Sequence, residues 1–477
     1  MSPDLNDWLQ DETRRLRRKY KFDKKEKVRH CYKHFDPPIA PEQMMDILRD
    51  PKKVAEHSFL PLLRFHEKTR KFTVDLQHPD GFWKPKPRPI SYASHADAYI
   101  FSLYERRLAE KYEKLLASKG IGDCVLAYRK GDEVTKRSTI HSSYAVFKSI
   151  LDRGECTAMT FDIEKFFENL DHGRLFYLWK KLLAVPQLGR DHQIIFNNVT
   201  GFAFIELKTV IDVLGLETGK LPACLSDSPG LPLALKKHVR KNGRVGIPQG
   251  CAMSGTLSNL YMIGCDTAMH AACAGRGALY RRYSDDIIIV CNPDDADDLQ
   301  SLLQSQLTEH KLKMNIQKTH HHDFRRTNGR LYSISKSRKG IDVEIPLQYL
   351  GFTFDGQFCR IRDSSLSRFR AAMEKGIDAE VAYQFGRVRF FTRKALKRTF
   401  VPQLRKHRLY IRYSDLGEKT DHRNFLTYMD TAHASMKGIS KINTQKAALS
   451  KVLQDKIQKA EKRLILYRPV KTGMSKV

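Results

Sequence analysis

Tyr280-Arg-Arg-Tyr-Ser-Asp-Asp-Ile-Ile-Ile-Val290 is the stretch on which the reading of the whole chain turns. Apolar, β-branched residues follow Asp285 and Asp286 without a break, and the aromatic Tyr280 and Tyr283 precede them. The stretch therefore reads as a buried hairpin with two carboxylates at its turn. Two adjacent Asp beside a wholly apolar strand are costly unless something neutralises them. A divalent cation such as Mg²⁺ or Mn²⁺ does so, because hard oxygen ligands suit it and it stabilises carboxylates that would otherwise repel. A solvated Asp-Asp turn fits the same residues. The choice between the two has to come from elsewhere in the chain.

Upstream lies Thr157-Ala-Met-Thr-Phe-Asp-Ile-Glu-Lys-Phe-Phe167. Its apolar residues up to Phe161 read as a core strand, with Asp162 near the end, where a carboxylate emerges from a sheet edge. A two-metal site wants this third carboxylate, since Asp285 and Asp286 alone cannot bridge two cations and leave room for substrate oxygens. Between them, Gly246-Ile-Pro-Gln-Gly250-Cys-Ala-Met-Ser254 sets a glycine-flanked loop before an apolar helix of small residues. Such a loop lets backbone approach a ligand closely, and Gln249 and Ser254 can touch a nucleotide or the strand beneath it.

Further towards the N-terminus, Trp83-Lys-Pro-Lys-Pro-Arg-Pro-Ile90 mixes prolines, which suit edge strands and loops, with cations able to face a phosphate. The helix after it shows apolar spacing at Ile100, Leu103, Tyr104 and Leu108. The stretch 173–244 reads as helical and connecting. Downstream of the acidic hairpin, Asp294-Asp-Ala-Asp-Asp-Leu opens a helix with acidic residues in its first turn. Three consecutive residues cannot all face one ion, so His320, His321 and His322 are not read as a metal site. Gln348-Tyr-Leu-Gly-Phe-Thr-Phe354 reads as a strand whose Gly permits close backbone approach or a hairpin.

The chain has 477 residues, 41% hydrophobic and 29% charged, which describes a globular protein of about three structural units. Lys and Arg number 84 against 54 Asp and Glu, a net charge of +30, so a polyanionic partner is expected: nucleic acid first, a membrane surface second. No apolar run reaches the ~18 residues of a membrane span, and Met1 to Trp8 lack the order of a signal peptide. A cytoplasmic location is expected. The nine Cys are scattered singly and imply neither a disulfide framework nor a zinc site. The N-terminal Asp11-Glu-Thr-Arg-Arg-Leu-Arg-Arg-Lys-Tyr-Lys-Phe22 reads as a solvated helical face, followed by a Pro37-Pro38 break and an amphipathic segment after Pro41. Residues 371–477 carry 24 Lys and Arg against 9 Asp and Glu, a net of +15, with aromatics interleaved. This reads as a basic helical domain that follows phosphates and stacks on bases.

Taken in order, Phe161-Asp162-Ile with Phe166-Phe167, Gly246-Ile-Pro-Gln-Gly250, Tyr283-Ser-Asp-Asp286, Asn315 with Lys318, and Tyr349-Leu-Gly-Phe352 resemble the motif series of reverse transcriptases over roughly residues 80 to 360. The resemblance implies an α+β right-hand polymerase: a basic helical extension (1–75), fingers (76–155), a palm of antiparallel sheet packed on helices (156–360, with a helical insertion at 173–244), and a basic α-helical thumb and RNA-binding region (361–477). It implies that Asp162, Asp285 and Asp286, with the backbone carbonyl of Ile163, bind two Mg²⁺, Mn²⁺ being a substitute. Phe167 matches the residue that closes on the sugar 2′ carbon and favours dNTPs. Gln249 matches a residue beside the incoming nucleotide, Arg88 a triphosphate-binding cation, and Lys318 a palm lysine near the phosphates. Tyr349, Leu350, Gly351 and Phe352 look like a primer grip. The expected chemistry is in-line transfer by two metal ions.

The string Arg88-Pro-Ile-Ser-Tyr-Ala-Ser-His-Ala-Asp-Ala98 looks most like the bacterial anti-phage defence and abortive-infection group, related to retron and group II intron enzymes. The expected partners are a structured non-coding RNA as template, a DNA product and dNTPs, with no membrane and a homo-oligomer left open. In the basic tail, Arg405, Lys406 and Arg408 are expected on phosphates, and Phe390, Tyr410 and Tyr413 on unpaired bases. Two rivals stand beside this reading. An RNA-dependent RNA polymerase would want a smaller or polar residue at Phe167, and a non-catalytic RNA-binding protein on the same scaffold would tolerate loss of an Asp.

Overall fold

The computed structural model describes residues 3–19, 32–73, 82–129, 138–218, 220–222, 224–227, 230–336, 340–393, 402–416 and 424–466. Helix α1 (Pro3–Lys19) turns Leu5 and Trp8 inward. Trp8 donates to Ser102 Oγ at 3.2 Å, while Asp4 pairs with Arg107 at 2.9 Å and Asp11 with Arg106 at 2.7 Å. The charged N-terminal stretch is thus a docked helix rather than the solvated face its composition suggested: its acids meet arginines of another helix. Short helices α2 (Met45–Leu48) and α3 (Pro51–Glu56) follow the Pro37-Pro38 break, and Asp50 caps α3 by accepting from Lys52 N.

Strands β1 (Leu62–Thr73) and β2 (Phe82–Tyr92) pair antiparallel along their length, with Glu67 opposite Arg88. Pro85, Pro87 and Pro89 recur every second residue, so their missing N–H groups all fall on one side of β2. That side is the outer one, and β2 is an edge strand. Helix α4 (His95–Ser118) starts with Asp97 N donating to Ser94 Oγ, and it buries Ile100, Leu103, Tyr104 and Leu108 as their spacing requires.

Helix α5 (Thr139–Arg153) leads to β3 (Cys156–Asp162). After it come α6 (His172–Leu183), α7 (Arg190–Thr200), β4 (Ala203–Glu206), α8 (Leu207–Val213) and β5 (Arg240–Lys241). The stretch expected to be helical and connecting therefore also supplies two strands. β4 runs parallel to β1, Leu62 opposite Phe204, and completes a four-stranded sheet in the order β2-β1-β4-β5. A four-residue apolar run between helices has no periodicity of its own, and its pairing with β1 decides its conformation. Helix α9 (Ser254–Tyr261) is enclosed on nearly every side, which its small Ser254, Gly255 and Ser258 permit.

Helix α10 (Ile263–Gly275) is followed by β6 (Leu279–Tyr283), β7 (Asp286–Cys291) and α11 (Ala296–Glu309). Strands β8 (His320–Thr327), β9 (Arg330–Lys336) and β10 (Asp342–Glu344) complete a six-stranded sheet ordered β10-β9-β8-β3-β7-β6. The three histidines lie on β8, where alternation exposes His320 and buries His322. His322 Nδ1 stands 3.2 Å from both Ser333 Oγ and Ile345 O. A three-stranded sheet of β11 (Leu347–Tyr349), β12 (Phe352–Phe354) and β13 (Cys359–Ile361) precedes α12 (Asp363–Arg393), α13 (Lys406–Tyr413) and helices Phe425–Ser435 and Ile442–Leu466.

The chain forms two compact units, residues 1–130, 161–288 and 297–319 in one and 131–160, 289–296 and 320–477 in the other. In the first, Phe35, Leu63, Ile205, Val210, Leu225 and Leu235 form one core cluster. In the second, Met373, Ile377 and Val381 of α12 pack with Leu409 of α13 and with Leu453, Ile457 and Leu464. The architecture is α+β. Among the described residues no cysteine forms a disulfide, and no helix is long and apolar enough to cross a membrane.

Candidate active site

The Asp285-Asp286 pair occurs as expected at a hairpin turn, with Ser284 and Asp285 between β6 and β7. Ser284 has a φ of 61°, a left-handed conformation that a two-residue hairpin demands and that a non-glycine residue resists. Buried Arg282 steadies it. Its Nη1 donates to Ser284 O at 3.1 Å and to Asn259 Oδ1 at 3.2 Å, while Nε and Nη2 grip Asp266 at 2.7 and 2.6 Å. Tyr280 adds a third bond to the same Asp266, 2.9 Å from its Oδ1. This fully buried ion pair was missed in the sequence. Its signal was there: Arg282 falls two residues after Tyr280, on the same inward face of a strand, and Asp266 is the one acid in an otherwise uncharged α10.

Main-chain bonds bring the end of β3 against this turn. Ile163 N donates to Asp285 O at 3.1 Å, and Asn315 N donates to Asp162 O at 2.8 Å. Asp162 Oδ2 accepts from Lys318 Nζ at 2.5 Å. The Asp285 carboxyl is held above the usual carboxylate range, first by burial and then by the negative charge of Asp162, against the pull of Lys318 and of hydrogen bonds from its own backbone and from Ser284. Asp286 opens β7 as an exposed residue. Asp162, Asp285 and Lys318 are therefore gathered in one place. Among the described residues no three His, Cys, Asp or Glu side chains are arranged to hold a metal. A cation here would rest on the carboxylates of Asp162 and Asp285. The negative charge of Asp162 near Asp285, with Lys318 already bonded to Asp162, is chemistry that suits positive charge.

A cleft of about 510 Å³ is lined by Glu105, Tyr128, Phe167, Gln249, Ser254 and Thr256, among others, and Ser284 of the acidic turn donates to the hydroxyl of its Tyr128. Phe166 is buried in the core, whereas Phe167 is half-buried and lines the cleft. The glycine loop is bonded to both walls: Ile247 N donates to Phe167 O at 2.8 Å, and Ser91 N donates to Gln249 O at 2.7 Å. Gly246 (φ 86°) and Gly250 (φ 111°) leave no room for a side chain, since a Cβ would lie 2.7 Å from Glu168 O and 2.6 Å from Ser91 O. Ser254 lines the cleft and donates to Pro248 O at 2.6 Å, which closes its own loop. Arg88 is exposed on edge strand β2 and is not among the residues lining the cleft.

The remaining expected residues belong to the second unit. Tyr349 and Phe352 flank a two-residue turn in which Leu350 (φ 43°) and Gly351 (φ 94°) are both left-handed, so the stretch is the tight hairpin that its Gly allowed. In the basic tail, Arg405 makes two 2.7 Å bonds to Glu380 and lies 4.1 Å from the Tyr383 ring centre, and Lys406 pairs with Glu461 at 2.6 Å. Tyr413, expected to stack on a base, is 7% exposed and donates to Ala372 O at 3.0 Å. Its ring is core because α13 is amphipathic and Tyr413 shares the inward face with Leu409. Tyr410 is half-buried against the same cluster, and Arg408 is exposed. The side chain of Phe390 lies outside the described residues.

Comparison with known proteins adds three findings. The family model described as reverse transcriptase (RNA-dependent DNA polymerase) matches residues 79–354, more than half of the chain. No curated protein matches. Among solved structures, an apo telomerase from Candida tropicalis, truncated from its C-terminal domain, is similar with a TM-score of 0.37 and 11% identity over 64% of this chain. The match spans 56% of that telomerase chain.

Proposed function

Because this chain belongs to the reverse transcriptase (RNA-dependent DNA polymerase) family, we propose that it extends a primer with dNTPs on an RNA template at Asp162 and Asp285. The observation that supports the reading is the 3.1 Å bond from Ile163 N to Asp285 O, which joins the end of β3, carrying Asp162, to the acidic turn. Reverse transcriptases use divalent metal ions. In this chain Asp162, Asp285 and the carbonyl of Ile163 would hold Mg²⁺, or Mn²⁺ in its place, with Asp286 nearby. Bound there, such ions would lower the pKa of the primer hydroxyl and offset the charge of the leaving pyrophosphate.

The protein's own groups do the rest. Lys318, which donates to Asp162, would meet phosphate oxygens beside it. Phe167 excludes a 2′-hydroxyl by bulk, Gln249 borders the incoming nucleotide, and Arg88 serves the triphosphate from β2. The Tyr349–Phe352 hairpin acts as primer grip and residues 361–477 as thumb. We assign the template to a dedicated structured RNA and the activity to anti-phage defence in the cytoplasm, supported by the resemblance of Arg88–Ala98. Incubating the protein with a primed RNA, Mg²⁺ and either dNTPs or NTPs tests the core of this reading. Extension with dNTPs alone is expected. Extension with NTPs alone would indicate an RNA polymerase, and no extension with either would leave a binding protein.

A further inference from the structure

We propose that Tyr128 is a specificity-determining residue, a second ring that braces Phe167 from across the cleft and ties it to the acidic turn. Tyr128 stands alone in the sequence, with no motif around it. Its backbone is left-handed at φ 58°, a conformation that costs a bulky residue and persists only where the surroundings impose it. Its side chain is nevertheless 50% exposed, and it lines the cleft with Phe167 and Gln249. A strained backbone presenting an aromatic ring to an open cleft is poorly explained by core packing.

The segment carrying it is fixed on both sides. Leu126 N donates to Arg282 O at 2.9 Å and Arg282 N to Cys124 O at 2.7 Å, so the loop is bound to the strand that leads into the acidic turn. Asn259 Nδ2 donates to Ala127 O at 2.8 Å. Arg129 bonds to Glu113 and to the carbonyls of Gly122 and Val125. Tyr128 thus projects from a loop clamped at the residues before and after it.

Three contacts show what it projects onto. Its ring meets that of Phe167 edge to face, with centres 6.2 Å apart and planes at 77°. Ser284 Oγ donates to its hydroxyl at 3.2 Å, which ties the ring to the residue preceding Asp285 in the acidic turn. Gly255 makes room for the ring: a Cβ there would lie 2.7 Å from Tyr128 Cγ. The ring is therefore held between the start of α9, the Phe167 ring and the acidic turn. A Phe167 ring free to tilt would admit a 2′-hydroxyl, and Tyr128 blocks that tilt.

The inference rests on the polymerase reading, and its test separates the two. Relative kcat/KM for a dNTP over the matching NTP is measured for the parent, Tyr128→Phe, Tyr128→Leu and Phe167→Ala. Tyr128→Phe keeps the ring and should keep the discrimination. Tyr128→Leu, which keeps apolar bulk but no ring edge, should lose discrimination by about tenfold, the upper end for one aromatic pair. The loss should come through better NTP use, which a merely unfolded fraction would not produce. If Phe167→Ala relaxes discrimination and Tyr128→Leu does not, the role of Tyr128 is overturned while the cleft assignment stands. If neither substitution relaxes it, the cleft assignment falls, and this inference with it.

Discussion

Asp285 carries its charge where burial and a neighbouring carboxylate both oppose it. Its carboxyl is raised above the ordinary range, so the stability this group contributes is present at low pH and is lost as pH rises through the raised value. At neutral pH the ionised form works against the fold. Asp285→Asn together with Asp286→Asn should accordingly leave the melting temperature of the metal-free protein unchanged or higher, while nucleotide incorporation falls by about 10²–10³-fold or more, the scale of losing a charge stabiliser at a reacting centre. Thermal melting and single-nucleotide incorporation measure the two halves, and a folded double variant with parental activity would remove these residues from the site. That Asp162 and Asp285 meet was legible because each stands at the end of an apolar strand, where a carboxylate emerges from the sheet. Tyr128 was not: its place comes from a loop held by Arg282, Asn259 and Arg129, and none of those bonds leaves a mark in its own sequence.

At the level of elements, the acidic hairpin depends on the pair beneath it. Arg282→Met leaves Asp266 buried without its guanidinium and should destabilise the protein by about 3–5 kcal/mol. Adding Asp266→Leu should recover most of that, because an apolar pair of similar volume carries no desolvation cost. Incorporation should stay impaired in the recovered double variant, since Ser284 O still lacks its donor. Equal recovery of melting temperature and activity would show that Arg282 serves stability alone. The β8–β9 region supplies a separate test. Burial lowers His322 to about 4, so stability that is intact above about pH 6.5 should fall as pH drops towards 4, when the unfolded chain takes up the proton. His322→Asn keeps a donor near Ile345 O without titrating, and melting curves across that range should flatten. The same scale explains which elements were legible. Helix α4 buries one face at helical spacing, and β7 of the acidic hairpin is an unbroken apolar run that is buried from Ile287 to Cys291. β4 has no periodicity to show, and α1 looked solvated because its acids gave no hint of the arginines on α4 that receive them.

For the molecule as a whole, the net charge of +30 predicts a polyanion, but the structure sorts which cations remain available for one. Arg405 and Lys406 are engaged with Glu380 and Glu461, and Tyr413 is core, so this part of the expected RNA surface supports the fold of the second unit. Arg408 and Arg412 are exposed on the outer face of the same helix. Bound phosphates release counterions, so affinity for RNA should fall linearly with log salt, and each lost contact should reduce the slope by about 0.7 on a single strand. Arg408→Glu with Arg412→Glu should therefore weaken binding to native and scrambled RNAs alike and flatten the slope, with little change in melting temperature. Arg405→Glu should do the reverse: it sets two acids against each other, lowering the melting temperature while the slope changes less. Tyr410→Ala should cost about 1–3 kcal/mol, mainly on a preferred RNA, if its half-exposed ring stacks on a base. Salt titrations paired with melting curves separate these effects. If the Arg408 and Arg412 reversals leave both affinity and slope at parental values, the outer face of α13 is solvated surface, and RNA is held elsewhere on the chain.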